Sequence, residues 1–225
     1  MKTHFRIEPF GECGVLVILG DEIDITINQQ VHLLREWLDK VNTGGIKELI
    51  PAYASLLVEF DPFQVDYDVL QDWIIEGLDQ TQATVFRPDK VVQIPTIYGG
   101  VYGPDLEFVA EYTQLSLQEV IRLHSEPEYV VFMMGFSPGF PYLGGMNSKI
   151  AVPRLASPRT KVPAGSVGIA GKQTGIYPRE SPGGWRIIGR TPLRLFDPKN
   201  EPHILLKPGD RLQFIPVSNV IFDDD

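Results

Sequence analysis

Cysteine is nearly absent from this chain of 225 residues, in which Cys13 stands alone. One thiol excludes an internal disulfide and any zinc site built from several cysteines. Its expected role is a small core filler rather than a reactive group. Histidine is scarce too. His4, His32, His124 and His203 show neither an HxH nor an HxxxH spacing, so no metal site is expected. His32 reads as a packed or solvated helix residue. Long hydrophobic runs are also missing. The longest, such as 15–19 and 129–134, fall far short of the ~18 residues of a membrane span and suit buried strands. The first residues carry no basic-then-apolar leader of the secretory kind, and a cytoplasmic protein is the expectation.

Basic charge is short overall, with 20 Lys and Arg against 29 Asp and Glu, for a net charge of −9. That balance makes a poor general nucleic-acid binder, because long-range attraction to phosphate is weak. The deficit is uneven. Residues 1–80 carry 5 basic and 15 acidic side chains, whereas 131–196 carry 9 basic and only Glu180 as an acid. An acidic protein with one basic stretch suits a small anion, or an acidic partner, bound at one place.

The first 80 residues predict two short strands over 5–19, broken at Pro9-Phe10-Gly11. A helix from an Asn28 cap to about Val41 follows, with Val31, Leu34, Trp37, Leu38 and Val41 at the 3.6-residue period and Gly44 beyond its end. Two β-rich runs flank Pro51-Ala52-Tyr53, Asp66 can cap a second helix, and a further strand is expected near 84–87. The order resembles a ferredoxin-like split βαβ unit with hairpin edges. Arg87-Pro88-Asp89-Lys90 is a polar break, so the expectation is a small α/β domain over 1–86 and a second domain over 90–225.

The second domain opens with a strand over 91–95 and a glycine-rich loop over 98–104. Two short helices come next, the first beginning at Pro104 and the second behind a Ser116/Glu119 capping box. Their acidity argues against a DNA-reading role. Beyond residue 128, short apolar runs at 129–132, 167–170, 185–188, 193–196, 204–206 and 212–217 alternate with turn signals, which favours a barrel or sandwich. Lys207-Pro208-Gly209-Asp210 reads as a tight turn, and 223–225 as a solvated tail.

The stretch 135–191 holds 11 of the 21 glycines and, with Pro192, 8 of the 19 prolines. Such composition builds rigid, irregular loops; these are either elaborate barrel corners or the frame of a ligand site. Gly171-Lys172-Gln173-Thr174 is not a P-loop, since Ser166 stands where the first glycine belongs and Gln173 where Ser or Thr belongs. Ala164-Gly165-Ser166-Val167-Gly168 is not a nucleophile elbow, because its first position is Ala164 and no strand–turn–helix surrounds it. Proline neighbours stiffen the backbone near Arg154, Arg159 and Arg190. Each can fork two hydrogen bonds onto a carboxylate or phosphate, or can simply be surface charge or half of an ion pair. Gln173, Thr174, Tyr177 and Ser181 can orient polar groups. Tyr142 and Trp185 can wall a cavity, and His124 is either a proton-transfer group or structural.

Four runs then point to one family: YVVFMMGFSPGFPYLGG at 129–145, PRLASPR at 153–159, VPAGSVGIAGKQTGIYP at 162–178 and SPGGWRIIGRTPLRLF at 181–196. They resemble the allophanate hydrolase subunit 1 family, as do IKELIPAYASLLVEFDP at 46–62 and GPDLEFVAEYTQLSLQEVIRLHS at 103–125. Gly11-Glu12-Cys13-Gly14 departs from the usual Gly-Asp and a small residue, which puts only a local turn in doubt.

The resemblance implies an α+β protein, with a small ferredoxin-like α/β N-terminal domain and a cyclophilin-like β-barrel behind it. It further implies a subunit of an ATP-dependent 5-oxoprolinase that opens 5-oxo-L-proline to L-glutamate together with subunits A and C. ATP is then a co-substrate of the complex, at a site this sequence does not locate, and the chain by itself should be inactive. Under that reading the expected catalytic residues are His124, Arg154 and Arg159. The expected substrate-binding residues are Ser166, Gln173, Thr174, Tyr177, Trp185 and Arg190. Two rival readings come with the same family: inhibition of a histidine kinase, and a role beside urea or allophanate carboxylation.

Overall fold

The computed structural model describes residues 5–41, 44–81, 91–219 and 222. Two compact units divide the chain, Met1–Arg87 and Pro88–Asp225. The strand expected at 84–87, the break at 87–90 and the tail at 223–225 lie outside the described residues.

In the first unit, β1 (Arg6–Pro9) and β2 (Gly14–Ile18) form a hairpin. Helix α1 (Ile25–Val41) leads to β3 (Ile46–Pro51), β4 (Ser55–Phe60) and helix α2 (Tyr67–Thr81). The sheet order is β1-β2-β4-β3. Strand β4 thus lies between β2 and β3, the strands that α1 connects, which is the split βαβ arrangement. The two-residue period buries Val15 and Val17 on β2 and Leu56, Val58 and Phe60 on β4. Val31, Leu34 and Leu38 of α1 and Leu70, Ile74 and Leu78 of α2 complete this core. The helices pack closely because Gly77 leaves room for Trp37; a Cβ there would stand 2.4 Å from the indole Cδ1.

Two sequence expectations need correcting in this unit. Asp24, not Asn28, caps α1: its Oδ1 accepts the Thr26 and Ile27 N–H groups at 2.8 and 3.0 Å. Asn28 is instead buried inside the helix, and its amide donates to the carbonyls of Ala52 and Tyr53 at 3.0 and 3.2 Å. Cys13 is exposed at the hairpin turn and fills no core. His32 is buried, as a packed residue should be.

In the second unit, seven strands close a barrel. They are β5 (Val91–Tyr98), β6 (Tyr129–Met134), β7 (Pro141–Gly144), β9 (Ser166–Ala170), β10 (Gln173–Ile176), β12 (Arg186–Arg190) and β13 (Arg211–Pro216). Their order is β10-β7-β6-β13-β5-β12-β9, with only β5 and β13 parallel. A separate ribbon pairs β8 (Arg159–Val162) with β11 (Ser181–Gly183). Helices α3 (Leu106–Thr113) and α4 (Leu117–Ser125) add Leu106, Val109, Val120 and Leu123 to the barrel core.

Helix α3 begins at Leu106 rather than Pro104, because the Asp105 side chain faces the barrel instead of capping the helix. The Ser116 cap forms, its Oγ accepting the Glu119 N–H at 3.2 Å. The reciprocal half of the box does not, since the Glu119 carboxylate is drawn to Arg122 at 2.8 Å. The runs 193–196 and 204–206 are not strands; only a Phe196–Ile204 bridge joins them. In their place the glycine-rich stretch contributes β7, β8, β10 and β11, which its irregular composition concealed.

Candidate functional site

Strand β9 is buried along its whole length, so both its faces are covered. Val167 and Ile169 join the barrel core, while Ala170 belongs to a second cluster with Phe140, Val162, Tyr177, Trp185 and Ile187. On β10, Thr174 and Ile176 are buried, and Ile176 joins the barrel core. The two-residue period sets Gln173 on the opposite face, with Gly175. The outer surface of this sheet is therefore floored by the small residues Gly168, Ala170 and Gly175. Aromatic groups settle onto that floor. A Cβ on Gly168 would meet Trp185 at 3.1 Å, and one on Gly175 would meet the Phe140 ring at 3.1 Å.

The rings contact one another edge to face or tilted. Phe140 lies 4.9 Å from Tyr142, 5.2 Å from Tyr177 and 5.5 Å from Trp185, and Tyr142 lies 6.0 Å from Trp185. Arg154 sits at the edge with its guanidinium 5.9 Å from the Trp185 centroid, and it has no ion-pair partner among the described residues. Burial raises the Tyr142 hydroxyl pKa, and Arg154 opposes the shift. Burial likewise raises that of Tyr177, against the Trp185 backbone N–H and the nearby charges of Arg154 and Arg159. Both phenols therefore stay protonated near neutral pH and can donate hydrogen bonds. Phe140, Tyr177 and Trp185 are themselves buried, so Tyr142, Phe136 and the exposed Arg154 are the parts of this cluster that solvent reaches.

Phe136 belongs to this patch, although its sequence position gave little sign of it. It is the middle residue of a turn closed by Ser137 N–H to the Gly135 carbonyl at 2.7 Å. Its φ is +63°, in the left-handed region that a bulky residue avoids. It nonetheless stays 64% exposed, with its ring 5.5 Å from Phe140. Strain held at a displayed aromatic is a recurring mark of a binding surface. The only signal in the sequence was a phenylalanine lodged between Gly135 and Ser137-Pro138-Gly139.

The structure does not bring all the sequence-predicted residues together. Arg154, Gln173, Tyr177 and Trp185 share the aromatic face. His124 and Thr174 lie in the barrel interior, where His124 has no solvent exposure. Thr174 Oγ1 donates to the Gly168 carbonyl at 2.9 Å, so it accepts from His124 Nε2 at 2.9 Å, and Tyr98 donates to His124 Nδ1 at 2.7 Å. Burial pushes the His124 pKa down to about 3, so this imidazole is neutral. With Phe214 4.4 Å away and both nitrogens engaged, its geometry is that of a barrel-filling group.

Arg159 is committed elsewhere. Its Nη2 donates to Asp105 Oδ1 at 2.9 Å, and Arg186 approaches the same oxygen at 3.7 Å. Arg190 donates from Nε to the Ala164 carbonyl at 2.7 Å and pairs with Ser166 in the β9–β12 ladder. Ser166 is buried, and its carbonyl accepts the Tyr177 N–H. Asp105 and Arg186 were missed because nothing local marks them; each is defined by partners distant in sequence. Among the described residues, no helix is long and apolar enough to cross a membrane.

Fold and site together define a class: a small split-βαβ unit followed by a cyclophilin-like barrel with an arginine-edged aromatic face. Residues 5–206 match the family described as carboxyltransferase domain, subdomain C and D, and the chain belongs to that family. It is 42% identical over 228 residues to the 5-oxoprolinase B subunit of Bacillus subtilis (strain 168), covering 97% of this chain and 95% of that relative. It is equally similar, 42% over 211 residues, to the 5-oxoprolinase B subunit of Escherichia coli O157:H7, covering 92% and 93%. A solved structure, the conserved uncharacterized protein PH0987 from Pyrococcus horikoshii, is 48% identical with a TM-score of 0.56, covering 94% and 97%. The resemblance drawn from the motifs therefore holds across nearly the whole chain.

Proposed function

We propose that this chain is the B-type subunit of a cytoplasmic, ATP-dependent 5-oxoprolinase, acting with subunits of the A and C types. The complex would open the lactam of 5-oxo-L-proline with water to give L-glutamate, at the expense of ATP. The observation that carries this reading is the 42% identity, over 97% of this chain, to the 5-oxoprolinase B subunit of Bacillus subtilis.

The aromatic face is consistent with that substrate. The five-membered ring of 5-oxoproline is flat and largely apolar on its faces, which suits the solvent-reached rings of Tyr142 and Phe136, backed by the buried Trp185. Its carboxylate suits Arg154, which has no ion-pair partner among the described residues, and its amide edge suits Gln173, whose side chain can both donate and accept. The Tyr142 and Tyr177 hydroxyls can donate to the lactam oxygen. Hydrogen bonds aimed at that oxygen lower the barrier only if they strengthen as negative charge develops there. Arg159, His124, Thr174, Ser166 and Arg190 would serve this face by fixing the strands and turns beneath it.

The test is 5-oxoproline-dependent ATP hydrolysis, measured with the chain alone and after adding its A and C partners. Turnover only in the assembled mixture supports the reading. Robust turnover by the pure chain would refute the need for partners. No turnover in any combination, together with block of a histidine kinase by the chain, would replace the reading with kinase regulation.

A further inference from the structure

A concave site lies in the barrel unit, lined by none of the residues of the aromatic face. It is a cleft of about 560 Å³ between the turns at 163–164 and 178–180 and the segment 194–199. Arg179, Arg190, Arg194 and Lys199 line it, against the two acids Glu180 and Asp197. Both acids are already engaged. Glu180 pairs with Lys161 at 2.9 Å. Asp197 accepts the Lys199 N–H and the Asn200 side-chain amide, each at 2.9 Å, and these bonds hold its carboxyl below the usual range.

Among the described residues, two of the arginines are hydrogen-bonded through Nε alone. Arg190 Nε donates to the Ala164 carbonyl at 2.7 Å, and its guanidinium lies 4.4 Å from the Phe222 ring centroid. Arg179 Nε donates to Ser137 Oγ at 2.9 Å. Neither has a carboxylate partner among the described residues. A guanidinium anchored at Nε keeps its Nη1–Nη2 edge available for two parallel hydrogen bonds, and its ordering entropy is already spent. The carbonyl that aims Arg190 is itself fixed. Gly165 takes φ +79°, its N–H donates to Tyr177 O at 2.7 Å, and its carbonyl accepts the Thr191 N–H at 2.9 Å. A Cβ there would stand 2.1 Å from Thr191 O, so only glycine permits this turn.

We propose that this cleft binds the phosphate groups of a small molecule. One carboxylate would be satisfied by a single fork. Two anchored guanidiniums, with a lysine on the same walls, match a group of several charges and many acceptor oxygens. The volume falls within the range of ordinary small-molecule sites. Two sources share this chemistry, a nucleotide polyphosphate and a phosphorylated substrate. The proposal does not need the oxoprolinase reading, because its test is binding to the full chain without partners or turnover.

The experiment is titration calorimetry of the full chain with tripolyphosphate and with ATP, using citrate as a multiply charged carboxylate control. Arg179→Gln and Arg190→Lys should each weaken tripolyphosphate by about tenfold or more, the usual effect of losing charged hydrogen bonds. Lys172→Gln removes a charge from an exposed position outside the cleft and should change affinity less than about twofold, as a screened distant charge does. ATP binding more tightly than tripolyphosphate would identify a nucleotide site; equal or weaker ATP binding would identify a phosphorylated substrate. The proposal is overturned if neither phosphate probe binds, if citrate binds as well as tripolyphosphate, or if Lys172→Gln matches Arg179→Gln. A thermal melt accompanies each variant. Should Arg190→Lys fail to fold, Arg179→Gln decides the matter, since among the described residues its side chain is hydrogen-bonded to Ser137 alone.

Discussion

Asp105 and Arg159 are 54 positions apart in the chain, yet Arg159 Nη2 stands 2.9 Å from Asp105 Oδ1, on a carboxylate that is almost fully buried. The other oxygen, Oδ2, accepts the buried Ile187 N–H at 2.6 Å. One carboxylate therefore fastens the start of α3 to β8 and β12. Asp105→Ala strands the Ile187 N–H and takes the carboxylate away from Arg159 and Arg186. It should cost roughly 1–3 kcal/mol for the unsatisfied donor alone, and more with the lost ion pair. Arg159→Ala should lower the melt in the same direction by less, because that side chain is partly exposed. A melt unchanged in both variants would free Arg159 for a direct role in binding.

Arg154 should behave in the opposite way. It is exposed and has no ion-pair partner among the described residues, so Arg154→Ala should leave the melting temperature nearly unchanged. In an assembled, active complex it should lower kcat/KM by about 10- to 150-fold, the equivalent of a charged hydrogen bond worth roughly 1.5–3 kcal/mol. Parallel kinetics and melts on one preparation check both halves.

His124 gives stability a dependence on pH. In an unfolded chain its imidazole takes a proton near its ordinary value of 6.5, but in the barrel only near about 3. Between those values the unfolded state binds more protons. The contribution of His124 is thus complete above about pH 6.5 and is lost as pH falls toward about 3, by up to about 1.4 kcal/mol per pH unit. His124→Gln should lower stability at pH 7 and flatten this slope. Denaturant titrations at pH 7, 5.5 and 4.5 would show it, and an identical slope in wild type and variant would remove His124 as the cause.

Adjacent glycines offer a sharp contrast on the ribbon. A Cβ on Gly183 would lie 2.4 Å from the Tyr177 hydroxyl, whereas one on Gly184 meets nothing nearer than Pro158 at 3.6 Å. Gly183→Ala should therefore destabilise by roughly 1–3 kcal/mol, as overpacking does, and shift Tyr177. Gly184→Ala should be tolerated. Thermal melts of the pair suffice.

Each unit has its own apolar core, one centred on Leu34, Leu56 and Ile74, the other on Tyr129, Ile169 and Phe214. A fragment spanning 88–225 should consequently melt cooperatively by itself. Loss of a cooperative transition in that fragment would show that the barrel depends on the first unit.

Local pattern made much of the fold legible. The 3.6-residue period of Val31, Leu34 and Leu38 marked α1 to its last residue, and the β-rich runs on either side of Pro51-Ala52-Tyr53 marked β3 and β4. Short apolar runs bounded by turns announced a barrel or sandwich, and long motifs announced the family. What failed was of two kinds. Asn28 looked like a cap because caps and buried amides use the same residue types, and only its distant partners Ala52 and Tyr53 separate the two roles. Strands β7, β10 and β11 were hidden by glycine and proline, whose low strand propensity is overridden where a ring packs against bare backbone, as Phe140 does at Gly175 and Tyr177 at Gly183.

The same division runs through the candidate site. Composition by itself determined that 131–196 is basic, stiff and suited to anions, since charge and backbone freedom are properties of residues one at a time. Which arginine is available was decided by tertiary structure. Arg159 is paired with Asp105, Arg190 is aimed by Ala164, and Arg154 is left at the edge of the rings, because an ion pair depends on distances that only the closed barrel sets.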